Sequence, residues 1–276
     1  MIDKKKLVRL LSYAAYFAAV FLFFLFLLFP FDRVKTKLES EVRRRAGLEL
    51  TIAHISPRFF NIFHLSDVVV ATQQGKVLFE SPSVSTTVSL FSLLRGNLGL
   101  GLKADAYGGD LRVMLQQGAG PQHVAVDANG LDVGSYQLFK DLGLKLSGKL
   151  GGNFDMTGDT GKGRIWLKGL TSRELKIKGF PIPDLDFDEC WLDADLKGDR
   201  LTIKKLEMNG KELKIQCLGD LVLRERGTLN LVVKIKPSER LAQEQSMIFS
   251  LIKNKDPEGF YQFSLGGTLS DPLPRL

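Results

Sequence analysis

The chain has 276 residues, 44% of them hydrophobic, and a formal net charge of +7 with an isoelectric point of about 9.3. Its two cysteines exclude a disulfide-dense scaffold. Its aromatic residues concentrate before residue 32 instead of alternating with Lys and Arg, which speaks against a nucleic-acid interface.

Leu10 to Phe31, LLSYAAYFAAVFLFFLFLLFPF, contains no charged residue. As a helix rising about 1.5 Å per residue it would span roughly 33 Å, enough to cross a hydrocarbon core of about 30 Å. Residues 10–31 are therefore expected to form a transmembrane helix behind a short cytoplasmic tail, residues 1–9. Lys4, Lys5, Lys6 and Arg9 would equally suit the front of a cleaved signal peptide. A signal core is shorter, however, about 7–15 residues, and ends in a small-residue cleavage site, whereas this run closes on Leu28-Phe29-Pro30-Phe31. The expectation is an uncleaved single-pass anchor. Charge alone does not orient it, because Arg33, Lys35, Lys37 and Arg43 to Arg45 follow the helix as densely as basic residues precede it.

Residues 32–47 are expected to form an amphipathic juxtamembrane helix, with Val34, Leu38, Val42 and Ala46 on one stripe and Gly47 as its stop. A stalk packed on the next domain and a helix on the lipid surface are equally compatible readings. From Leu48 the period changes to two. Leu50 to Ile55, Leu65 to Val70 and Lys76 to Val88 are rich in β-branched residues and bounded by turn formers, so they are expected as strands. Ser89 to Leu94 reads as a helical turn before Arg95-Gly96. Asn97 to Asp105 and Asp110 to Gln116 continue the strands, hinged at Gly108-Gly109.

Alternation is clearest further on. Leu142, Leu144 and Leu146 share one parity, as do Leu175 and Ile177. Leu213, Ile215 and Cys217 run through Gly219 into Leu221 and Leu223, and Leu229, Leu231, Val233 and Ile235 repeat the pattern with Thr228, Asn230, Lys234 and Lys236 opposite. Such segments are half-buried strands. Turn signals at Gly151-Gly152-Asn153, Gly158 to Gly161, Lys197 to Asp199 and Asn209-Gly210 arrange them as an antiparallel meander. Leu201 and Ile203 are out of phase with Leu206 and Met208, which predicts a bulge near Lys204-Lys205. Ser238 to Lys253, with Leu241, Ile248, Leu251 and Ile252 at helical spacing, predicts one helix that caps the apolar face. A last strand covers Phe260 to Leu265. The expected fold class is mainly β: a transmembrane helix followed by a curved antiparallel meander over residues 48–276, either a groove or an open sandwich, with a few short helices.

A dozen strands with one apolar side need cover for it. Either the sheet closes on itself, or it curls into a trough for something else. In a trough, Leu213, Ile215, Leu221, Leu223, Leu229, Leu231, Val233 and Ile235 are the candidate lining for phospholipid acyl chains. Catalytic, cofactor and metal sets are not legible. His54, His64 and His123 are isolated, and Gly158 to Gly163 (GDTGKG) lacks the remainder of a phosphate loop. Asp184, Asp186 and Asp188 alternate on one strand without the Gly and Glu of a calcium loop. Trp166 and Trp191 read as packing residues. Cys190 and Cys217 fall on strands separated by a third, about 9.6 Å apart, beyond the roughly 7 Å a disulfide tolerates. The expected protein is not an enzyme.

The membrane helix, the amphipathic helix ending in Ala46-Gly47-Leu48, then Leu50-Thr51-Ile52, Val68-Val69-Val70, and Leu78-Phe79 to Val88 closing on Leu93-Leu94-Arg95-Gly96, together resemble the N-terminal signature of AsmA-like proteins. Phe263 to Pro272 (FSLGGTLSDP) resembles the strand that ends their last module. Within that superfamily the compact length with one anchor is similar to the short form of type II secretion system protein N. The resemblance implies an inner-membrane protein facing the periplasm, an accessory structural subunit with other secretion subunits as partners. The wider superfamily implies a curved β groove that contacts lipids. It supplies no catalytic residues.

Overall fold

The computed structural model describes residues 12, 13, 16, 17, 20, 31–59, 61–141, 143–174, 176, 177, 180, 181, 183–224, 227–252, 254–268 and 271–275. The expected tail, nearly all of the expected membrane span, Leu142 and Leu175 lie outside the described residues. Among the described residues no helix is long and apolar enough to cross a membrane. Within the span, Ser12, Tyr13, Tyr16, Phe17 and Val20 are helical, and both tyrosines and Phe17 are exposed.

Helix α1 (Phe31–Ala46) stops at Gly47, whose φ of 65° needs no Cβ and whose N–H donates to Arg43 O at 3.1 Å. Strands β1 (Leu48–Phe59), β2 (Ile62–Thr72) and β3 (Val77–Val88) follow. Short helix α2 (Leu90–Leu94) is capped by Ser89, whose hydroxyl accepts from Ser92 N. Then come β4 (Leu98–Ala106), β5 (Gly109–Gln117), β6 (His123–Asp132), a 3-10 turn (Val133–Ser135) and α3 (Gln137–Asp141). After β7 (Lys145–Thr157) and β8 (Thr160–Arg173), a separate small hairpin pairs β9 (Lys176–Ile177) with β10 (Phe180–Pro181). The chain continues as β11 (Leu185–Lys197), β12 (Arg200–Gly210), β13 (Leu213–Val222) and β14 (Leu229–Pro237). It ends with α4 (Glu239–Glu244), α5 (Ser246–Ser250), β15 (Asn254–Lys255), β16 (Tyr261–Gly267) and β17 (Pro272–Arg275). All strands but β9 and β10 form one open antiparallel sheet of fifteen strands that follows chain order almost throughout. The meander is as expected; the sandwich alternative is replaced by a single layer.

Several local expectations are corrected. Gly151-Gly152 is not a turn but the middle of β7. The Trp166 indole occupies the space a Cβ at Gly151 would need, and a Cβ at Gly152 would stand 2.8 Å from Arg164 O. Asn209-Gly210 ends β12, and the turn is Lys211-Glu212. Strand β6 and helix α3 are not among the elements that the sequence pattern predicts. The late helix is two helices, broken at Gln245, which takes φ −115° and ψ 30°. Both pieces still bury an apolar anchor, Leu241 and Phe249.

The apolar face stays continuous because extra residues interrupt the alternation. The bulge at Lys204-Lys205 is present, the register jumping from Ile203 opposite Gly219 to Leu206 opposite Cys217. Gly169 in β8 and Asp188 in β11 are extra residues facing each other, so Leu170 and Leu167 share a face, as do Phe187 and Cys190. Near the N-terminus Ile52 and Ile55, three apart, join one core with Val68, Val84 and Ala104, and the left-handed Asp67 (φ 49°) marks the reset. There Ser81 is buried, and its hydroxyl lies 2.8 Å from Asp105 O and 2.9 Å from Ser83 O, at the point where the ladder between β3 and β4 begins.

Beyond that point the first half of β3 has no β4 beside it. Tyrosines close the gap. Tyr107 Oη accepts from Glu80 N–H at 3.0 Å, and Tyr136 Oη donates to Leu78 O at 2.9 Å, the two rings meeting edge-on at 5.5 Å. The outer edge of β1 lies under α1, where Glu39 accepts from Ile52 N–H at 3.2 Å and Lys35 donates to Ala53 O at 3.3 Å. Helix α1 thus meets the sheet through these polar groups and through Phe31, which packs on the Ile52 core; of the expected stripe, Val34 and Val42 are half-buried while Leu38 and Ala46 stay exposed. At the other edge β15 and β17 share the outer side of β16. Pro272 and Pro274 alternate in β17 and have no N–H, so that strand's ladder donors are Leu273 and Arg275 and its outer side carries none at the prolines.

Ser81→Ala should lower the unfolding free energy by about 1–3 kcal/mol, the cost of leaving buried carbonyls short of a donor, read as a lower urea midpoint with an unchanged slope. Pro272→Thr with Pro274→Thr should restore outward donors and produce concentration-dependent self-association in light scattering, the parent protein showing none.

Candidate functional site

Residues opposite each other on neighbouring strands share a face, so the register maps the candidate site row by row. One row is Ile203, Gly219, Leu231 and Leu265; the next is Leu192, Leu206, Cys217, Val233 and Phe263. Leu201, Leu221 and Leu229 flank them on one side, and Met208, Ile215, Ile235 and Tyr261 on the other, with Leu213 opposite Pro237. Seven of the eight predicted lining residues, Leu213, Ile215, Leu221, Leu229, Leu231, Val233 and Ile235, therefore stand on one sheet face. Leu223 lies past the end of β13 and is 48% exposed, outside the cluster. Leu192 and Leu265 join it. Leu192 escaped notice because the parity of β11 changes at Asp188, so Leu185 and Phe187 point the eye to the wrong set.

This face is thinly covered. Ile203, Cys217 and Leu231 at its centre are each 8% exposed, and Leu192, Leu206, Leu221, Leu229, Val233 and Leu265 around them are half-buried. Among the described residues the close packing of β8, β11, β12 and β13 is with their own sheet neighbours. Among the described residues cover comes at one end, where α4 meets β14 and the Phe249 ring of α5 stands 5.3 Å from Tyr261.

The opposite face is charged and internally neutralised. Arg164 meets Asp193 at 2.6 Å, Lys204 in the bulge meets Asp195 at 2.6 Å, and Lys205 meets Glu207 at 3.0 Å. A concavity of about 670 Å³ lies there between β5 and β12, bearing both signs of charge on Asp127, Asp155, Lys162 and Arg164 among others. Trp166 and Trp191 pair across β8 and β11 on this side, ring centres 6.2 Å apart. Arg173 holds Asp184 at 3.7 Å and Asp186 at 2.5 Å, so two of the three alternating carboxylates belong to an ion-paired surface, and Asp188 is the extra residue of the β11 bulge. Of the histidines, His123 stands 3.3 Å from Asp155. Among the described residues no group of three or more acidic, His or Cys side chains could hold a metal ion.

The cysteines sit on the apolar face on β11 and β13, with β12 between them, and both are free thiols. Burial among apolar neighbours pushes the Cys190 thiol up to about 11 and raises Cys217 as well. Such thiols are poor nucleophiles. Comparison with known proteins finds no matching family model, no similar curated protein and no similar solved structure.

At pH 8 the native protein should react with a thiol-specific maleimide more slowly than the urea-unfolded chain, because burial among apolar neighbours keeps both native thiols protonated. Equal rates would mean that the apolar face does not enclose its thiols.

Proposed function

We propose that this is a non-catalytic, membrane-anchored protein of the bacterial cell envelope, AsmA-like in kind, whose open apolar sheet face receives phospholipid acyl chains. The observation that carries the reading is the thinly covered face of β8 to β14: a contiguous apolar strip in a one-layer sheet, capped at its β14–β16 end by α4 and α5 and with no second layer against it among the described residues. An aliphatic chain laid along the strip would gain about 0.8 kcal/mol for each CH₂ removed from water, without any directed polar contact. The charged far face keeps that side of the layer in water. Residues 10–31 supply the anchor in this reading, residues 1–9 the cytoplasmic tail, and the β domain lies in the periplasm.

The resemblance of the chain to AsmA-like proteins, and among these to the short single-anchor form of type II secretion system protein N, supports a second reading, an accessory subunit of that inner-membrane machine. The geometry bears on how such a subunit would find its neighbours. Adding a partner strand is disfavoured at both edges, under α1 and along the prolines of β17. Contact through a face or a connection is the route left.

In the full chain, reconstituted in vesicles containing a phospholipid with a photoreactive diazirine in its acyl chain, crosslinks to the sheet beyond residue 100 should fall chiefly within residues 192–265, residues 10–31 being labelled as the anchor. Ile215→Asp should reduce that labelling by at least about fivefold while unfolding stays cooperative, since a charge on an open face is tolerated where one in a dry core costs several kcal/mol. Labelling spread evenly over the sheet, or a melting transition that collapses in Ile215→Asp, would overturn the lipid reading in favour of the secretion subunit.

A further inference from the structure

Helix α2 is apolar on every side that water reaches. Leu90, Phe91, Leu93 and Leu94 are all exposed, Phe91 at 63% and Leu94 at 86%, and Arg95 folds back with its guanidinium 4.1 Å from the centre of the Phe91 ring. Four adjacent large apolar side chains in water are not explained by packing.

Their position supplies the reason. Going back along α1, Arg43 meets Glu49, Glu39 meets Ile52 and Lys35 meets Ala53, so the helix runs antiparallel to β1. Its first residue, Phe31, then reaches Phe63, 6.1 Å between ring centres, at the end of the sheet where β1 turns into β2. That turn is tied to the start of α2, Val88 N–H donating to Asn61 O at 2.8 Å and Asn61 Nδ2 to Val88 O at 3.3 Å. The end of the apolar run, the exposed Phe59 and the four side chains of α2 therefore share one end of the sheet. The connections there, residues 56–62, 88–98 and 116–123, contain Arg58 and Arg95 and no carboxylate. Acidic residues return in the turns further along the same end, at Asp159 and Asp199.

We propose that α2 and the adjoining β1–β2 turn insert into the membrane surface beside the anchor, as a second, interfacial contact with the bilayer. An apolar tip with arginines at its rim matches an acyl boundary beneath anionic headgroups. The contact fixes which end of the sheet meets the membrane and leaves the more acidic turns in water. It rests on residues 10–31 being a membrane helix, and its test separates the two.

The full-length chain carrying Leu94→Cys is labelled with an environment-sensitive fluorophore, the parent chain serving as control for the shielded native thiols. It is reconstituted in vesicles of phosphatidylethanolamine with a minority of phosphatidylglycerol, with and without spin-labelled acyl chains. Met247→Cys, on α5 and 81% exposed in the parent, reports a site away from the tip. Quenching at position 94 should exceed that at position 247 by at least about threefold, and Phe91→Glu should remove the difference. Equal quenching at the two positions overturns the insertion. Alkaline extraction of the same samples reads the anchor independently: a chain that stays in the bilayer with position 94 unquenched retains the anchor and loses the insertion, and a chain that is extracted although position 94 was quenched does the reverse.

Discussion

Main-chain hydrogen bonding between consecutive strands carries this protein, because nearly every long strand exchanges bonds with the strands before and after it, and among the described residues no second layer contributes a shared interior. In most β proteins two apolar faces meet and the ladder merely keeps them flat. Here the ladder has to supply cohesion, and side-chain burial is gathered into two patches, one around Ile52 and one around Leu231. Everything else follows from that constraint. Where the ladder stops short, as beside the first half of β3, tyrosine hydroxyls stand in for missing backbone partners. Where it ends, a helix or a pair of prolines terminates it.

The alternation of the sequence was enough to read the fold class, because a half-buried strand writes its two faces directly into the residue order. It also exposed the Lys204-Lys205 bulge, since both flanking segments were long enough to show opposite phases. The other irregularities were hidden by their surroundings. At Asp188 the extra residue sits among aspartates that already alternate, so the change of phase looks like a polar strand. At Gly151-Gly152 the glycines serve close approach, one beneath an indole and the other against a carbonyl, and composition alone cannot distinguish that use from a turn.

The candidate site was legible to the same degree and for the same reason. Seven of the lining residues lie on two neighbouring strands, β13 and β14, whose phase never changes. Leu192 lies beyond a change of phase, and Leu223 lies beyond the end of a strand, which alternation does not announce. The edge closures left no trace in the pattern, because Lys35, Glu39, Tyr107 and Tyr136 act through single polar atoms on the backbone. A helix stripe read for its apolar residues gives only part of the contact, since Val34 and Val42 are half-buried but Lys35 and Glu39 make the bonds to the sheet edge.

A meander in which nearly every strand pairs with its immediate predecessor also has a consequence for how it is made. Each new strand finds its template already laid down, so the sheet can be assembled in the order of synthesis, one hairpin at a time, with little loop closure to wait for. A chain delivered N-terminus first could thus acquire structure as it emerges. The last strands, with Pro272 and Pro274 on the outer side, would then act as the stop that ends growth.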